Sequence, residues 1–319
     1  MKEMNAVLID RFGSAEQLHL TKVPMPQPAP HEVLIQIEYT SVNPVDWKIR
    51  EGYLAERLPH RFPLILGWDA AGKISAIGNQ VKNFQIGDEV YAYCRKETVE
   101  NGTYAQYIAV AADCVAKKPK SISFAQAASI PLAGLTAWQA LFDVGKLQKG
   151  QTVLIHAGAG GVGSFAIQLA KWAGANVITT ASASKTDYVK QLGADLAIDY
   201  NKEKFADRIR KEYPQGIDLV LDMLGGQTLK NSVPLLKKGG CVVGILEKFD
   251  EKQAEKLGIR SEYVFVRPNS RELSEIARLI EEGKLHLPYI EEMSLTQAAL
   301  AQEKIREGHT KGKIVLKVS

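Results

Sequence analysis

Residues 153–168, VLIHAGAGGVGSFAIQ, run an apolar strand straight into glycines and then into an apolar helix. Gly158, Gly160 and Gly163 fit the spacing G-x-G-x-x-G. Each glycine has a physical reason: a tight reversal at the first, close approach of backbone to a pyrophosphate at the second, and close packing of helix on strand at the third. A phosphate would sit on the N–H groups of the helix that starts near Val162. A glycine turn with this spacing can also bind nothing, so the surroundings decide. Downstream, residues 176–180, 194–198, 218–222 and 241–245 read as short buried strands, and 162–172, 185–192, 204–213 and 227–236 as amphipathic helices. That alternation builds an α/β fold with a doubly wound parallel sheet, and the turn becomes a dinucleotide site.

The chain after the second of these strands bears on which dinucleotide is bound. About 20 residues past the turn, an NAD site offers Asp or Glu to the ribose hydroxyls, whereas a cationic or hydroxyl-bearing site accepts the extra phosphate of NADP. Here the chain reads Thr179, Thr180, Ala181, Ser182, Ala183, Ser184, Lys185, with no acid before Asp187. The Ser182 hydroxyl and the Lys185 ammonium can donate to a 2′-phosphate that a carboxylate would repel. NADPH is therefore the expected cofactor. Ser184 also suits a helix cap and Lys185 a solvated side chain, neither of which excludes that role.

With 319 residues the chain has room for two domains, each with its own core. Forty basic and 36 acidic side chains give a net charge of +4, and the basic residues are dispersed, which argues against a nucleic-acid surface. The N-terminal MKEMNAVLIDRF has no apolar signal core, and no apolar run reaches bilayer-spanning length, so a cytoplasmic enzyme is expected. Cys94, Cys114 and Cys241 are scattered, as in a reducing compartment. His156 reads as strand-end packing, and His19, His31, His60, His286 and His309 lack metal-ligand spacing.

Before the nucleotide fold lies a strand-rich region. Val33, Ile35, Ile37 and Tyr39 alternate with polar residues as a half-buried strand does. Further strands are expected at 70–77, 89–93 and 104–110, punctuated by Gly72, Gly78, Gly87 and Gly102, which suggests a compact β-barrel-like domain. After the parallel sheet, 271–282 reads as an amphipathic helix. The alternating strand 313–318 at the end is expected to join the first domain.

These motifs in order, VNPVDWKIREG (42–52), LGWDAAGKISAIG (66–78), GDEVYAY (87–93), GTYAQY (102–107), IPLAGLTAWQAL (130–141), HAGAGGVG (156–163) and the terminal GKIVLKV, resemble the medium-chain dehydrogenase/reductase superfamily. Within it the chain is most similar to the zinc-independent quinone oxidoreductase branch that includes zeta-crystallin, and the likeness spans essentially the whole chain. It implies a GroES-like β-barrel domain at 1–125, a Rossmann NADPH-binding domain at 126–266, and a segment 267–319 that returns to the first domain. It also implies an active site in the cleft between the domains and a homodimer joined through the edge of the nucleotide sheet. Where zinc-dependent members carry metal ligands, this chain has Asn43, Trp68 and Leu132, and between Tyr93 and Tyr107 it has Cys94 alone in place of four clustered cysteines. The resemblance thus implies no metal. Asp69 is expected to pair with a cation or with backbone donors.

Zinc in such enzymes is a Lewis acid worth several kcal/mol to a developing alkoxide, and each 1.36 kcal/mol is about tenfold in rate. A metal-free site therefore favours substrates with their own electron sink, quinones or activated α,β-unsaturated carbonyls, to which NADPH delivers hydride. A metal-free alcohol or aldehyde reductase and a non-catalytic NADPH-binding protein are the alternatives. The resemblance places Asn43, Lys48 and Tyr53 as candidate donors to substrate or nicotinamide. Asn43 equally suits a turn before Pro44, Lys48 a solvated helix face, and Asp46 a helix cap. For the cofactor it implies Asn43 and Thr136 at the nicotinamide side, and Ala159, Gly160, Gly161 and Val162 at the pyrophosphate. Ser182, Lys185 and Tyr200 fall at the 2′-phosphate, although Tyr200 also suits an ordinary surface tyrosine; Gly244 and Ile245 close the next strand, Phe265 and Val266 lie where the chain passes the nicotinamide, and Lys313 is expected either to touch the cofactor from the tail or to be a plain surface lysine.

Overall fold

The computed structural model describes residues 2–308 and 310–318, so His309 lies outside the described residues. The chain forms two compact units: Met1–Leu135, Arg267–Glu282 and Leu287–Ser319 make the first, and Thr136–Val266 with Gly283–His286 the second. The first opens with strands β1 (Glu3–Ile9), β2 (His19–Pro24) and β3 (Glu32–Val42), then helix α1 (Pro44–Arg50). Strands β4 (His60–Ile65), β5 (Asp69–Ile77), β6 (Glu89–Tyr93), β7 (Val99–Asn101), β8 (Tyr107–Ala111) and β9 (Val115–Lys117) follow, and then helices α2 (Phe124–Ala128) and α3 (Pro131–Trp138).

The alternation read in β3 carries its packing. Val33, Ile35 and Ile37 are fully buried against Ala70, Ile74, Val90, Ala92, Ile108 and Val115. β3 pairs antiparallel with β5, with a register shift between Ile37 and Tyr39. An extra residue there interrupts the strict in-and-out pattern, and beyond it Thr40, Ser41 and Val42 are all buried. The end of β3 thus takes polar groups into the interior, with Ser41 opposite Asp69.

In the second unit, β10 (Thr152–Ile155), β11 (Asn176–Ala181), β12 (Leu196–Asp199), β13 (Ile217–Asp222), β14 (Leu236–Gly244) and β15 (Arg260–Tyr263) form one six-stranded sheet in the order β12-β11-β10-β13-β14-β15, every pair parallel. Helices α4 (Gly161–Trp172), α5 (Thr186–Gln191), α6 (Phe205–Glu212), α7 (Gly226–Ser232) and α8 (Glu251–Leu257) connect the strands. The helix expected over 227–236 stops at Ser232 and tightens into a 3-10 turn, Val233–Leu235. Pro234 explains this, because its ring supplies no N–H to an α-helical ladder. The edge strand β15 carries no apolar alternation and was not expected.

The chain then returns to the first unit with α9 (Ser270–Glu281), β16 (Ile290–Ser294), α10 (Ala298–Arg306) and β17 (Lys313–Lys317). β17 pairs antiparallel with the end of β3, Ile314 opposite Val42, so the tail completes the sheet β16-β17-β3-β5-β6-β9. The division between the units falls ten residues later than the expected boundary at 125/126. Leu132 N–H donates to Asp69 Oδ1 at 2.7 Å, which ties the start of α3 to the first unit. Residues 283–286 side with the second unit because Gln168 grips His286 at both ends of its amide, Nε2 to His286 O at 2.8 Å and His286 N–H to Oε1 at 2.7 Å. Among the described residues no helix is long and apolar enough to cross a membrane.

His156, at the end of β10, packs as the sequence suggests. Its ring lies between Thr180 Oγ1 at 3.1 Å and Ser232 Oγ at 2.8 Å and meets the edge of Phe205. Burial pushes its pKa down from 6.5 to about 4. The unfolded chain therefore binds one more proton than the folded chain between these values, so stability rises with pH through that window and falls on acidification, by about 3 kcal/mol at most. The urea midpoint should drop steeply from pH 6.5 to 4, and His156→Gln should flatten that slope; an unaltered slope would assign the acid sensitivity to other groups.

Candidate active site

The glycine turn lies between β10 and α4. Its reversal differs from the expected one: the residue in the left-handed region is Ala157, with φ 49°, and not Gly158. A non-glycine residue there costs about 1–2 kcal/mol. The neighbouring β11 holds it in place, since Ala157 N–H donates to Thr180 Oγ1 and Gly158 N–H to Thr180 O. Gly158 and Gly163 are required by packing. A Cβ on Gly158 would lie 2.0 Å from Thr179 Oγ1, and one on Gly163 would lie 2.4 Å from Ala157 O and 2.7 Å from Gly158 Cα. A Cβ on Gly160 would meet little, with Ala157 O at 3.3 Å its one near neighbour. Space over Gly160 is what a pyrophosphate needs.

α4 begins at Gly161 with Gly160 as N-cap and no capping side chain. The N–H groups of Gly161, Val162 and Gly163 therefore start a twelve-residue helix with its positive dipole end facing outward, a fit for phosphate. β10 sits between β11 and β13, where the strand order reverses, which is where open parallel sheets bind ligands. Several other expected cofactor residues follow the carboxyl ends of strands in the same sheet. Ser182 and Lys185 follow β11, half-buried, with Ser182 Oγ 3.3 Å from Ser184 Oγ. Tyr200 follows β12 and is 57% exposed, on a groove of about 680 Å3 that Lys202, Lys204, Arg210 and Lys230 also line. Gly244 ends β14 with Glu247 O only 1.9 Å from where a Cβ would stand, and Ile245 N–H donates to Asp222 O. Val264 N–H donates to Gly244 O, which sets exposed Phe265 and buried Val266 beside that turn. Thr136 is buried on α3.

The second gathering of expected residues lies in the first unit. Asp69 is fully buried. Its Oδ2 accepts from Ser41 Oγ at 2.5 Å and Asn43 Nδ2 at 2.8 Å, and its Oδ1 from Leu132 N–H at 2.7 Å. Lys313 Nζ stands 3.6 Å from Asp69 Oδ2 and donates to Asn43 Oδ1 at 2.5 Å and Val42 O at 3.2 Å. Asp69 thus has both the cation and the backbone donor that the sequence led us to expect. Lys313 is no plain surface lysine: the residue is 3% exposed, and its ammonium is engaged by Asp69, Asn43 and a carbonyl. The three positions that carry zinc ligands in the resembled enzymes do converge here, Asn43 and Leu132 on Asp69 and Trp68 immediately before it, edge-on to Tyr93. Among the described residues no cluster of three His, Cys, Asp or Glu suits a metal ion.

Asp46 caps α1 by accepting Asn43 N–H at 2.8 Å, and it also accepts the Tyr104 hydroxyl at 3.0 Å. Burial pushes its pKa up to about 7 against those donors. Burial likewise lowers the pKa of Lys313, while Asp69 and Asp46 hold it up. Lys48, half-buried beside the Trp47 ring, has a pKa lowered by burial. Tyr53 is 66% exposed and edge-on to Trp47. Sequence reasoning missed Ser41, Thr40 and Tyr104. Two polar residues ending the apolar alternation of β3 were the available signal.

A profile described as alcohol dehydrogenase GroES-like domain matches residues 29–120, and one described as zinc-binding dehydrogenase matches 192–316. The chain is 33% identical over 327 residues to a chloroplast envelope quinone oxidoreductase homolog of Arabidopsis thaliana, covering 99% of this chain and 98% of the relative. It is 35% identical to an Arabidopsis thaliana NADPH-dependent alkenal/one oxidoreductase, covering 99% of this chain and 80% of the relative. Among solved structures, the quinone oxidoreductase from Coxiella burnetii superposes with a TM-score of 0.89 at 36% identity, covering 100% of both chains. On this full-length likeness, which carries the Rossmann sheet and the GroES-like domain together, the chain belongs to the medium-chain dehydrogenase/reductase family of oxidoreductases, in the group that contains the quinone oxidoreductases.

Proposed function

We propose that the protein is an NADPH-dependent reductase that passes hydride to a quinone or an activated α,β-unsaturated carbonyl, without a metal. The observation that carries this reading is the buried set Asn43, Asp69 and Lys313, bonded to one another where related enzymes bind zinc. A catalytic zinc takes about three N, O or S ligands and leaves one place open. Here Asn43 Oδ1 is taken by Lys313, and Asp69 is taken by Asn43, Ser41 and Leu132 N–H. An ammonium already lies beside that carboxylate, and it would repel a divalent ion. Lacking a Lewis acid, the site suits acceptors that spread incoming charge into a phenolate or an enolate. Relatives named for quinones and alkenals support the same class.

The bound cofactor supplies the hydride. The chain supplies the rest: the first N–H groups of α4 for the pyrophosphate, Ser182 and Lys185 for the 2′-phosphate, and Asn43, Lys48 and Tyr53 as donors to the acceptor oxygen. Lys48 suits proton donation because burial has made its ammonium a stronger acid. A homodimer joined through an edge of the nucleotide sheet belongs to the same reading.

With NADPH, 1,4-benzoquinone, 9,10-phenanthrenequinone and a 2-alkenal should be reduced after chelator treatment, and simple ketones should not. Turnover confined to simple alcohols and abolished by chelator would refute the proposal, and binding without any turnover would favour a non-catalytic role. Lys185→Glu should raise the KM for NADPH about tenfold or more with little effect for NADH; equal effects on both cofactors would remove Lys185 from the phosphate site.

A further inference from the structure

The two ends of the Asn43 amide are alike in shape and opposite in chemistry, so its neighbours choose its orientation. Nδ2 donates to Asp69 Oδ2 at 2.8 Å, and Oδ1 accepts from Lys313 Nζ at 2.5 Å. A carboxylate only accepts and an ammonium only donates. An amide turned over would set oxygen against carboxylate and N–H against ammonium, with both faces buried where such mismatches are costly. Each partner is anchored without Asn43's help: Asp69 by Ser41 Oγ and Leu132 N–H, and Lys313 by Val42 O and by its place at the start of β17, paired with the end of β3. Asp69, Asn43 and Lys313 are 0%, 2% and 3% exposed, so the three side chains form one buried hydrogen-bonded unit.

We infer that Asp69 and Lys313 are positioning residues, an ion pair that fixes the amide of Asn43 and thereby decides where its second N–H points. This rests on the functional reading in which Asn43 serves the acceptor or the nicotinamide. An amide N–H misplaced by about 1 Å costs up to about a hundredfold in rate, because donor alignment is set before the chemical step. The pair acts through its charges, since donors at one end and acceptors at the other select the orientation. A neutral side chain of similar size does not replace either partner.

The experiment uses the full chain with NADPH and 1,4-benzoquinone. Asp69→Asn and Lys313→Met should each lower kcat about tenfold to a hundredfold while the NADPH dissociation constant, read from protein fluorescence, stays within about twofold. Neither should add its loss to that of Asn43→Ala, because all three act through one amide, and Lys313→Arg should keep most of the rate. In the cofactor-free protein, the Asn43 side-chain NH2 resonance should exchange slowly with solvent, and faster in Lys313→Met. Losses that multiply with Asn43→Ala, or an Asn43 amide whose exchange Lys313→Met leaves unchanged, would overturn the inference. If the wild-type protein reduces no acceptor, the functional reading fails instead, and amide exchange alone decides whether the pair holds Asn43.

Discussion

A carboxylate with no exposed surface must find its donors inside the protein, and Asp69 finds four of them on three separate segments. Ser41 and Asn43 come from the end of β3 and the turn after it, Leu132 from the first turn of α3, and Lys313 from the last strand. Removing one partner from such a buried pair typically costs about 3–5 kcal/mol, because a charge is left without compensation. The constraint therefore reaches beyond the site: it ties the tail strand and the start of α3 to the sheet that carries Asp69. A second ion pair does comparable work nearby. Arg50, fully buried at the end of α1, meets Glu51 at 2.6 Å and Glu303 of α10 at 2.9 Å, so α1 is held at both ends.

The second unit solves a different problem, holding a helix N-terminus open. Gly158 and Gly163 let α4 press onto β10 and β11 at distances no side chain tolerates. The left-handed Ala157 takes the strain of the reversal. Gly160 is spared both duties, which leaves room above it. Such a division, two glycines for packing and one for space, keeps the first N–H groups of α4 available to an anion.

Chemistry and fold connect through what Asn43 can and cannot do. Its carbonyl end faces the Lys313 ammonium and one amide hydrogen goes to Asp69, so the donor it has left to offer is its second N–H. A donor aimed at an oxygen that gains charge is a modest catalyst compared with a metal ion. Acceptors that disperse charge within themselves need no more, which is why the proposed substrates are quinones and enones.

The turn at 153–168, the parallel strands around it and the long helices were legible because each is a local pattern: apolar runs, glycine spacing, 3.6-residue periodicity. The hydroxyls and the cation after β11 could likewise be read directly, since those residues are contiguous. The amphipathic helix at the end and the return of the tail were also readable, as α9 and as β17 beside β3. Three things were decided only by the fold. The strands β1, β2, β4, β15 and β16 carry weak or no alternation, and their partners create them. The reversal falls on Ala157, whose N–H, like that of Gly158, donates to Thr180 on the neighbouring strand and so holds the strained residue in place. And Lys313 turns inward to Asp69 and Asn43, because whether a lysine meets solvent, a ligand or a buried carboxylate depends on which distant strand its own strand pairs with, and no local pattern encodes that.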